Sequence, residues 1–463
     1  MAIIESKEFR DSISTVSKTG ERVWLHPKKP KGKWHNRRWA VTLFLLAFMF
    51  GMPFIEVDGH PFFLFNLVER KFILFGMIFW PQDFHLFALA FITGVISIVF
   101  FTVLYGRIFC GWLCPQTIFM EMVFRKVEYL IDGDYTQQRK LANQEWNTEK
   151  IIKRTLKHGI FFGMAVLISN TFLAWIIGKD ELFRIISEPI SEHIIGFSAL
   201  LFFSGAFYWV FAWFREQVCI IACPYGRLQG VMLDQNSLVV AYDYKRGEKR
   251  APLRKGVERT EGDCIDCKQC VHVCPTGIDI RNGTQLECVN CTACIDACDD
   301  IMEMIDKPKG LIGFYSEKGI KNGEKFKLTI RSLSYSLVLI ALMSVITFFI
   351  FKRDKLEITL LKERGASYTH LDKGYIRNMY KMNLINKTFE EVPVTLKLEN
   401  KEGFITIVGQ NMVVPEQGSL NTSIAIDILE KDLDILKTEI KIGVYDETGK
   451  LETVKTNFLG PGL

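Results

Sequence analysis

Cysteine is the residue type whose spacing carries the most chemical information in this chain. Eight of its twelve cysteines form two runs with the same spacing, C-x2-C-x2-C-x3-C: Cys264, Cys267, Cys270, Cys274, then Cys288, Cys291, Cys294, Cys298. Three thiolates in one short run can bind one side of an iron–sulfur cube, and the fourth must come from elsewhere. We therefore predict two [4Fe–4S] clusters, each held by three cysteines of one run and one of the other.

The predicted ligand sets cross between the runs, as in a bacterial two-cluster ferredoxin. One cluster is assigned to Cys264, Cys267, Cys270 and Cys298, and the other to Cys288, Cys291, Cys294 and Cys274. The alternatives are structural zinc and disulfides. Zinc sites use two separated C-x2-C pairs, and closely spaced cysteines cannot be bridged without strain. The two runs therefore predict a carrier of single electrons.

The other four cysteines form two shorter motifs. Cys110 and Cys114 follow one apolar stretch, Cys219 and Cys223 follow another, and each pair reads C-x3-C-P. Either the i, i+4 spacing puts both sulfurs on one face of a helix, or each proline starts a new helix behind Cys114 and Cys223. At a helix N-terminus the thiolate is favoured and its pKa falls. If the two motifs face each other, they offer four soft ligands.

Three interpretations of these four cysteines stay open. They are structural residues, ligands of a third iron–sulfur cluster, or a reactive thiol site that binds and reduces a soft metal ion. Thiolate selects Cu(I), so we favour the third interpretation, with copper as substrate or bound ion. Met120 and Met122 follow the first pair. They are either thioether ligands or packing residues.

Five uncharged apolar stretches predict membrane-spanning helices, because a bilayer core takes about 20 helical residues. They are Trp39–Ile55, Phe84–Tyr105, Ile160–Ile177, Ile194–Phe214 and Ser332–Phe351. Two shorter apolar pieces, Pro61–Leu67 and Phe72–Trp80, cannot span alone. We interpret them as an interfacial or re-entrant hairpin, with a sixth and a seventh helix as the alternative.

Loop charge predicts the orientation of these spans. Lysine and arginine are concentrated before the first span, in 106–159 and in 215–331, which places those segments in the bacterial cytoplasm. All twelve cysteines then face the cytoplasm or its membrane boundary, where thiols stay reduced. The chain after Phe351 is expected in the periplasm, so we predict a multi-pass protein of the inner membrane.

Composition and histidine placement narrow the function further. The net charge is only +5, which gives no indication of nucleic-acid binding. The central parts of the predicted spans contain no histidine, and a ladder of haem groups across the membrane needs axial histidines there. We therefore expect electrons to stay on the cytoplasmic side unless a partner supplies a path.

The tail from Leu356 to Leu463 changes character. Apolar and polar residues alternate at Val392–Leu398, Ile424–Ile428 and Ile440–Val444, with glycine and asparagine turn signals between these runs. This pattern predicts a two-layer β-sandwich. It contains no cysteine and no visible catalytic constellation, so partner binding is its expected role.

The predicted fold class is a multi-domain membrane protein. It combines an α-helical transmembrane bundle of about five helices, an inserted bacterial-type two-cluster ferredoxin domain and a C-terminal all-β sandwich. The predicted segments are a cytoplasmic N-terminal segment (1–38), spans one to four with both C-x3-C-P motifs (39–259), the ferredoxin domain (260–305), a cytoplasmic linker (306–331), the fifth span (332–351) and the sandwich (356–463).

Over nearly its whole length the chain resembles the cytochrome c oxidase accessory proteins of the CcoG family, also called FixG or RdxA. The resemblance rests on GRIFCGWLCPQT at 106–117, REQVCIIACPYGR at 215–227, CPTGIDIR at 274–281, the run 288–298 and Asn386-Lys-Thr388. The family often has Tyr-Met before the second Cys-Pro, whereas this chain has Ile221 and Ala222.

The resemblance implies a cupric reductase. The family is implicated in reducing Cu(II) to Cu(I) during assembly of the cbb-type haem–copper oxidase, and its tail is immunoglobulin-like. Carried over, Cys110, Cys114, Cys219 and Cys223 handle copper, and the eight ferredoxin cysteines bind the clusters. The expected partners are the membrane, a cytosolic or quinol electron donor, a copper exporter or chaperone and oxidase assembly factors. Homo-oligomerisation stays open.

Two other functions remain open at this point. The chain is alternatively an electron-transfer subunit of a quinol dehydrogenase-like system, in which the C-x3-C-P cysteines serve quinol oxidation or a third cluster. A further alternative is a redox-inactive assembly scaffold whose β domain docks the oxidase and whose clusters are only structural.

Overall fold

The structure of the protein is a computed structural model. It describes residues 14–17, 19–67, 70–253, 260–324, 330–363, 368–409, 412–434, 436–447 and 449–461. Residues 1–13 and 18 of the predicted N-terminal segment, residues 254–259 at the end of the predicted segment 39–259, and residues 325–329 of the predicted linker lie outside the described residues. The chain divides into two compact units, one of residues 1–54 and 88–344 and the other of residues 55–87 and 345–463.

Five helices of the described residues are long and apolar enough to cross a membrane, which confirms the predicted number. They are Lys33–Phe54, Pro81–Tyr105, Thr148–Ile177, Ile194–Phe214 and Ser332–Phe351. The first and third begin before their apolar stretches because polar turns extend them. At the third, the Asn147 side chain accepts a hydrogen bond from the Lys150 N–H, which satisfies an N-terminal amide.

The rest of the first unit consists of short helices and one two-stranded sheet. The helices are Ile108–Trp112, Pro115–Thr117, Ile118–Phe124, Arg125–Ile131, Tyr135–Asn143, Lys179–Ser187, Val218–Ala222, Pro224–Met232, Tyr244–Gly247, Gln269–His272, Ile280–Asn282, Ala293–Met304 and Glu317–Asn322. Strands Val239–Tyr242 and Ile312–Tyr315 pair antiparallel. Val240, Ile280, Ile295 and Ile312 from these elements share one apolar core with the ferredoxin cysteines.

The second unit contains the predicted β-sandwich. In the first sheet the strands lie in the order Gly403–Val408, Ser419–Leu429, Tyr375–Asn386 and Leu356–Lys362, and the short strand Thr369–Leu371 also pairs with Tyr375–Asn386. In the second sheet the order is Thr395–Leu398, Lys437–Tyr445 and Lys450–Leu459. A separate pair is formed by Val392–Pro393 and Val413–Val414. The alternating residues of 424–428 and 440–444 are almost wholly buried in the core between the sheets. The alternation therefore predicted this domain correctly.

The segment between the first two spans is a small β structure. Its strands are Glu56–Val57, His60–Pro61, Phe63–Asn66, Lys71–Leu74 and Met77–Phe79, of which the last three form one antiparallel sheet. The alternative of a sixth and a seventh helix is therefore wrong. The cause is local: Asp58, Gly59, Phe75 and Gly76 adopt positive φ and turn the chain too often for a helix. A re-entrant or interfacial position stays a prediction.

Candidate functional site

The eight ferredoxin cysteines lie around two cavities in the first unit. One cavity is lined by Cys274, Cys288, Cys291 and Cys294, and the other by Cys264, Cys267, Cys270 and Cys298. Cys270 also touches the first cavity. Apart from Cys270 in the first cavity, each cavity brings together three cysteines of one run and one of the other, in the pattern that the spacing predicts.

The backbone around the two cavities is repeated. In each run, the residue before the second cysteine and the residue after it have positive φ: Asp266 and Lys268 at 51° and 56°, Asn290 and Thr292 at 51° and 65°. Left-handed residues that are not glycine are uncommon and cost free energy, and here they recur at equivalent positions. The two runs therefore wrap their cavities in the same way.

The surroundings of these thiols suit an iron–sulfur cube. Burial raises the pKa of Cys288 to about 12 and that of Cys291 to about 11. The Cys274 sulfur accepts hydrogen bonds from backbone N–H groups of the turn at 276–278. Apolar side chains such as Val240 and Ile280 line the rest of the cavity. Thiolates so placed need positive charge within the cavity, and the irons of a cluster supply it when bound.

The two C-x3-C-P motifs break their helices in the same way. The Cys114 N–H donates to the Phe109 carbonyl at 2.9 Å, and the Cys223 N–H donates to the Val218 carbonyl at 2.8 Å. Both cysteines have extended backbones, with φ/ψ of −63°/123° and −75°/114°. Each precedes a proline that starts a new helix. The alternative of one continuous helix carrying both sulfurs is therefore wrong.

The structure brings the four helix-end cysteines together. Burial raises the pKa of Cys110 to about 11; the Arg107 guanidinium lowers it, and the nearby Cys114 and Cys223 raise it. Burial raises the pKa of Cys219 to about 12, and the nearby Cys114 and Cys110 add to this rise. These influences place Cys114 and Cys223 near Cys110, and Cys114 and Cys110 near Cys219. We call Cys110, Cys114, Cys219 and Cys223 the four-thiol site.

The sulfurs of the four-thiol site are not arranged around a single ion. Among the described residues, no three Cys, His, Asp or Glu side chains stand where one metal ion would need them. A single copper ion therefore requires these thiols to turn towards it. The four sulfurs that bind an iron–sulfur cube lie farther apart than those that bind one ion. A third cluster at these four thiols therefore stays an alternative.

Arg107 is a functional candidate that sequence reasoning missed. Its side chain is 5% exposed, hydrogen-bonds to the Cys110 thiol and donates to the Leu286 carbonyl. Its charge also lowers the pKa of Cys219 and of Cys288. The guanidinium thus lies between the four-thiol site and a cluster cavity. An arginine three residues before the first Cys of a C-x3-C-P motif is the signal that could have found it.

The first C-x3-C-P motif packs directly on the ferredoxin backbone. A Cβ at Gly111 would lie 2.4 Å from the Val289 carbonyl oxygen, so only glycine fits there. The Trp112 indole N–H donates to the Asn290 carbonyl at 3.3 Å, and the Arg38 Nε donates to the Gly111 carbonyl at 2.7 Å. The motif therefore rests on the chain between Cys288 and Cys291.

A small cavity lies between the four-thiol site and the clusters. Cys219, Met120, Thr276 and Val289 line it, and the last two also line the cavity of Cys274 and Cys288. Met120 is thus beside a site sulfur, whereas Met122 is buried but does not line this cavity. Thr276 and Val289 thus line both the cavity beside Cys219 and a cavity of the ferredoxin cysteines.

Three family models match the chain. They are a 4Fe-4S binding domain at residues 87–131, a 4Fe-4S dicluster domain at 214–317 and the IG-like fold at the C-terminal of FixG at 346–461. The first contains Cys110 and Cys114, and the second contains Cys219, Cys223 and both ferredoxin runs.

Several relatives match most of the chain. The protein RdxB of Cereibacter sphaeroides is 30% identical over 87% of this chain and 90% of its own length. The chain belongs to the FixG/RdxA family. RdxA of the same organism is 32% identical, over 82% of this chain and 83% of its own length. The nitrogen fixation protein FixG of Rhizobium meliloti is 30% identical, over 82% and 80%.

Membership of the FixG/RdxA family fixes the general nature of the protein. It is an integral membrane protein with [4Fe–4S] ferredoxin domains and a C-terminal Ig-like domain. Its iron–sulfur centres give it an electron-transfer or oxidoreductase role. The predicted family and fold class are confirmed.

Proposed function

We propose that this FixG/RdxA-family protein reduces Cu(II) to Cu(I) at the four-thiol site. The observation that supports this most is the meeting of two identical helix breaks, with four sulfurs, against the backbone of the cluster-binding segment. A thiolate site so close to an electron carrier suits a soft, one-electron substrate. Copper fits because thiolates prefer Cu(I).

The eight ferredoxin cysteines are proposed as cluster ligands in the two sets that line the two cavities. One set is Cys264, Cys267, Cys270 and Cys298, and the other is Cys274, Cys288, Cys291 and Cys294. When bound, the two [4Fe–4S] clusters supply one-electron transfer. The buried apolar lining excludes water from the sulfurs.

The four-thiol site favours reduction by binding the product more strongly than the reactant. Each Cu(II) ion takes up one electron and becomes Cu(I), which soft sulfur ligands stabilise. Arg107 lowers the pKa of Cys110 and Cys219 and so favours the thiolate form that binds metal. Three of the four cysteines are partly exposed, which leaves a route for the ion to enter and leave.

The proposed function includes an orientation of the protein in the membrane and a fate for its product. We place the clusters and the four-thiol site in the cytoplasm and the C-terminal Ig-like domain in the periplasm. The Cu(I) product then passes to an exporter or chaperone for assembly of a cbb-type oxidase. The loop charges and the resemblance to the CcoG proteins support this placement.

A second candidate is a third iron–sulfur cluster at the same four cysteines. It is favoured by the 4Fe-4S binding domain model over 87–131, a range whose cysteines are Cys110 and Cys114. In that case the protein is an electron-transfer subunit without a copper site. The two candidates predict different iron contents.

Anaerobic copper reduction by the purified, pre-reduced protein tests both candidates. A Cu(I)-specific chelator gives the rate, and the comparison is a variant with all four helix-end cysteines changed to alanine. The proposal expects at least a tenfold loss of rate with about eight irons in both proteins. Equal rates would show that exposed clusters reduce copper non-specifically. A loss of about four irons in the variant would establish the third cluster instead.

A further inference from the structure

A cavity of about 640 Å³ in the first unit has no role in the reaction described so far. Segments of four parts of the chain line it: the loop before the first span, the helix-rich segment 128–146, the start of the third span and the end of the fourth. Its volume falls within the usual range of small-molecule sites. It therefore has room for a ring-sized ligand.

Aromatic side chains line much of this cavity. Trp24, Trp146, Phe161, Trp209 and Trp213 line it. Trp209 and Trp213 are about half exposed and lie near the end of a membrane-spanning helix. Tryptophan is typical of the boundary between membrane and water. These rings therefore suit an apolar, flat ligand that enters from the bilayer.

Polar groups line the cavity among these aromatic rings. The Tyr208 hydroxyl and the His158 Nδ1 are 2.9 Å apart, and the His26 Nδ1 is 3.2 Å from the Gln138 side-chain oxygen. These groups donate and accept hydrogen bonds, as two carbonyl or hydroxyl oxygens of a ring require. Burial lowers the pKa of His26 and so favours its neutral form.

Three of the four lysine and arginine side chains that line the cavity already have hydrogen-bond or ion-pair partners, and Arg154 is the fourth. Arg215 donates to both carboxylate oxygens of Glu128 at 2.7 and 2.8 Å. Lys157 lies 2.5 Å from Asp132, and Lys150 donates to two backbone carbonyls. A phosphate headgroup would have to compete for these cations. An uncharged ring ligand would not.

The cavity connects to the cluster site through shared side chains. Arg215 lines both this cavity and the small cavity beside Cys219. Thr276 and Val289 then line both the small cavity and the cavity of Cys274 and Cys288. A ligand in the aromatic cavity thus lies at the end of a short series of neighbouring cavities within one unit.

We propose that this cavity binds a membrane quinol, which is the electron donor of the protein. The assignment rests on the proposed function for the use of the electrons, but not for the binding itself. Oxidation of one quinol to the quinone breaks two O–H bonds and releases two protons and two electrons. Two one-electron acceptors of the [4Fe–4S] class take the electrons, and His26 or His158 accepts protons on their way to water.

The first test measures binding without turnover. Decylubiquinone is titrated into the detergent-solubilised holoprotein, and quenching of tryptophan fluorescence is followed, because four tryptophans line the cavity. Ala142→Phe places a ring on a residue that lines the cavity, whereas Asn143→Phe places the same ring on the next residue, which does not line it; both residues are exposed. We expect saturable quenching that Ala142→Phe weakens at least tenfold and Asn143→Phe leaves unchanged. Equal quenching in both variants overturns the proposal.

A second variant tests the polar groups that line the cavity. Tyr208→Phe keeps the ring and removes the hydroxyl, so it should weaken binding roughly fivefold. Displacement of decylubiquinone by vesicles of phosphatidylglycerol, but not of phosphatidylcholine, would identify an anionic lipid site and overturn the proposal.

The two proposals can fail separately. Decylubiquinol should bleach the visible absorption of the anaerobic oxidised holoprotein, and Ala142→Phe should slow this. Copper reduction by chemically reduced protein without quinol binding would leave the cupric reductase standing and refute the quinol site. Bleaching by decylubiquinol without copper reduction would leave the quinol site standing and refute the cupric reductase.

Discussion

Arg107 shows how one side chain can serve two redox sites. Its charge acts on Cys110 and Cys219 on one side and on Cys288 on the other. A positive charge near a thiol stabilises its thiolate form. Both the metal affinity of the four-thiol site and the potential of the adjacent cluster should therefore depend on it.

We predict that Arg107→Gln weakens Cu(I) binding by about tenfold, because the thiols then ionise less readily. Competition with a Cu(I) chelator measures the affinity, and a redox titration of the cluster measures the potential. Arg107→Lys keeps the charge and should retain most of the affinity. An unchanged affinity in Arg107→Gln, with normal iron content, would contradict the role.

At the residue scale, the sequence indicated the candidate cysteine ligands but not the residues that surround them. Spacing grouped all twelve cysteines into two runs and two pairs, because the spacing of cysteines is a local property of the chain. Arg107 and Gly111 could not be found in this way, since their partners, Leu286 and Val289, lie more than 170 residues away. Only the folded chain shows those contacts.

A buried ion-pair network ties together the elements beside the four-thiol site. Arg215, at the end of the fourth span, has a positive φ of 53° and pairs with Glu128 of the helix Arg125–Ile131. Arg125 of the same helix pairs with Glu216 at 2.6 Å. Removing one partner of a buried pair leaves an uncompensated charge, which costs several kcal/mol. The network thus holds the second C-x3-C-P motif against this helix.

We predict that Glu128→Gln lowers the free energy of unfolding by about 3 kcal/mol at pH 7. Burial alone would raise the pKa of Glu128, but Arg215 and Lys157 lower it to about 2. A carboxyl with a lowered pKa contributes stability above its unfolded pKa, and the contribution is lost as the pH falls from about 4.5 to about 2. The variant should therefore lose less stability than the wild type over that range.

Thermal unfolding in detergent between pH 7 and pH 2 checks this expectation. Glu149→Gln is the matched control, because Glu149 pairs with Lys153 on an exposed helix surface. Surface pairs contribute little, so this variant should behave as the wild type does. Parallel pH profiles for the Glu128 variant and the wild type would refute the role of the network.

At the scale of the whole molecule, the apolar stretches predicted the spans, and the alternation predicted the sandwich. The grouping of residues 55–87 with the sandwich could not be predicted, because it depends on contacts across more than 250 residues. His60 stacks on Phe389 with ring centroids 4.2 Å apart, and Lys387 lies 2.8 Å from Asp83. Neither contact leaves a periodic pattern in the sequence.

The proposed orientation gives a prediction for the whole chain. Alkaline phosphatase folds to an active enzyme only where disulfides form. Fused after Gly460, at the end of the Ig-like domain, it should be active in bacterial cells. Fused after Asn322, before the fifth span, it should be inactive at equal expression. The reverse pattern would place the cysteines in the periplasm and refute the orientation.

The crossing of cysteines between the two runs has a consequence for biosynthesis. On the proposed ligand sets, one cluster needs Cys294 and the other needs Cys298, so neither set is complete until nearly the whole ferredoxin segment has left the ribosome. Both sets are then completed within four residues of each other, after the fourth span and before the fifth. Neither centre can therefore gain its full set of ligands before residue 294 has been synthesised, and a ribosome that stalls before that point leaves a nascent chain that can complete neither centre.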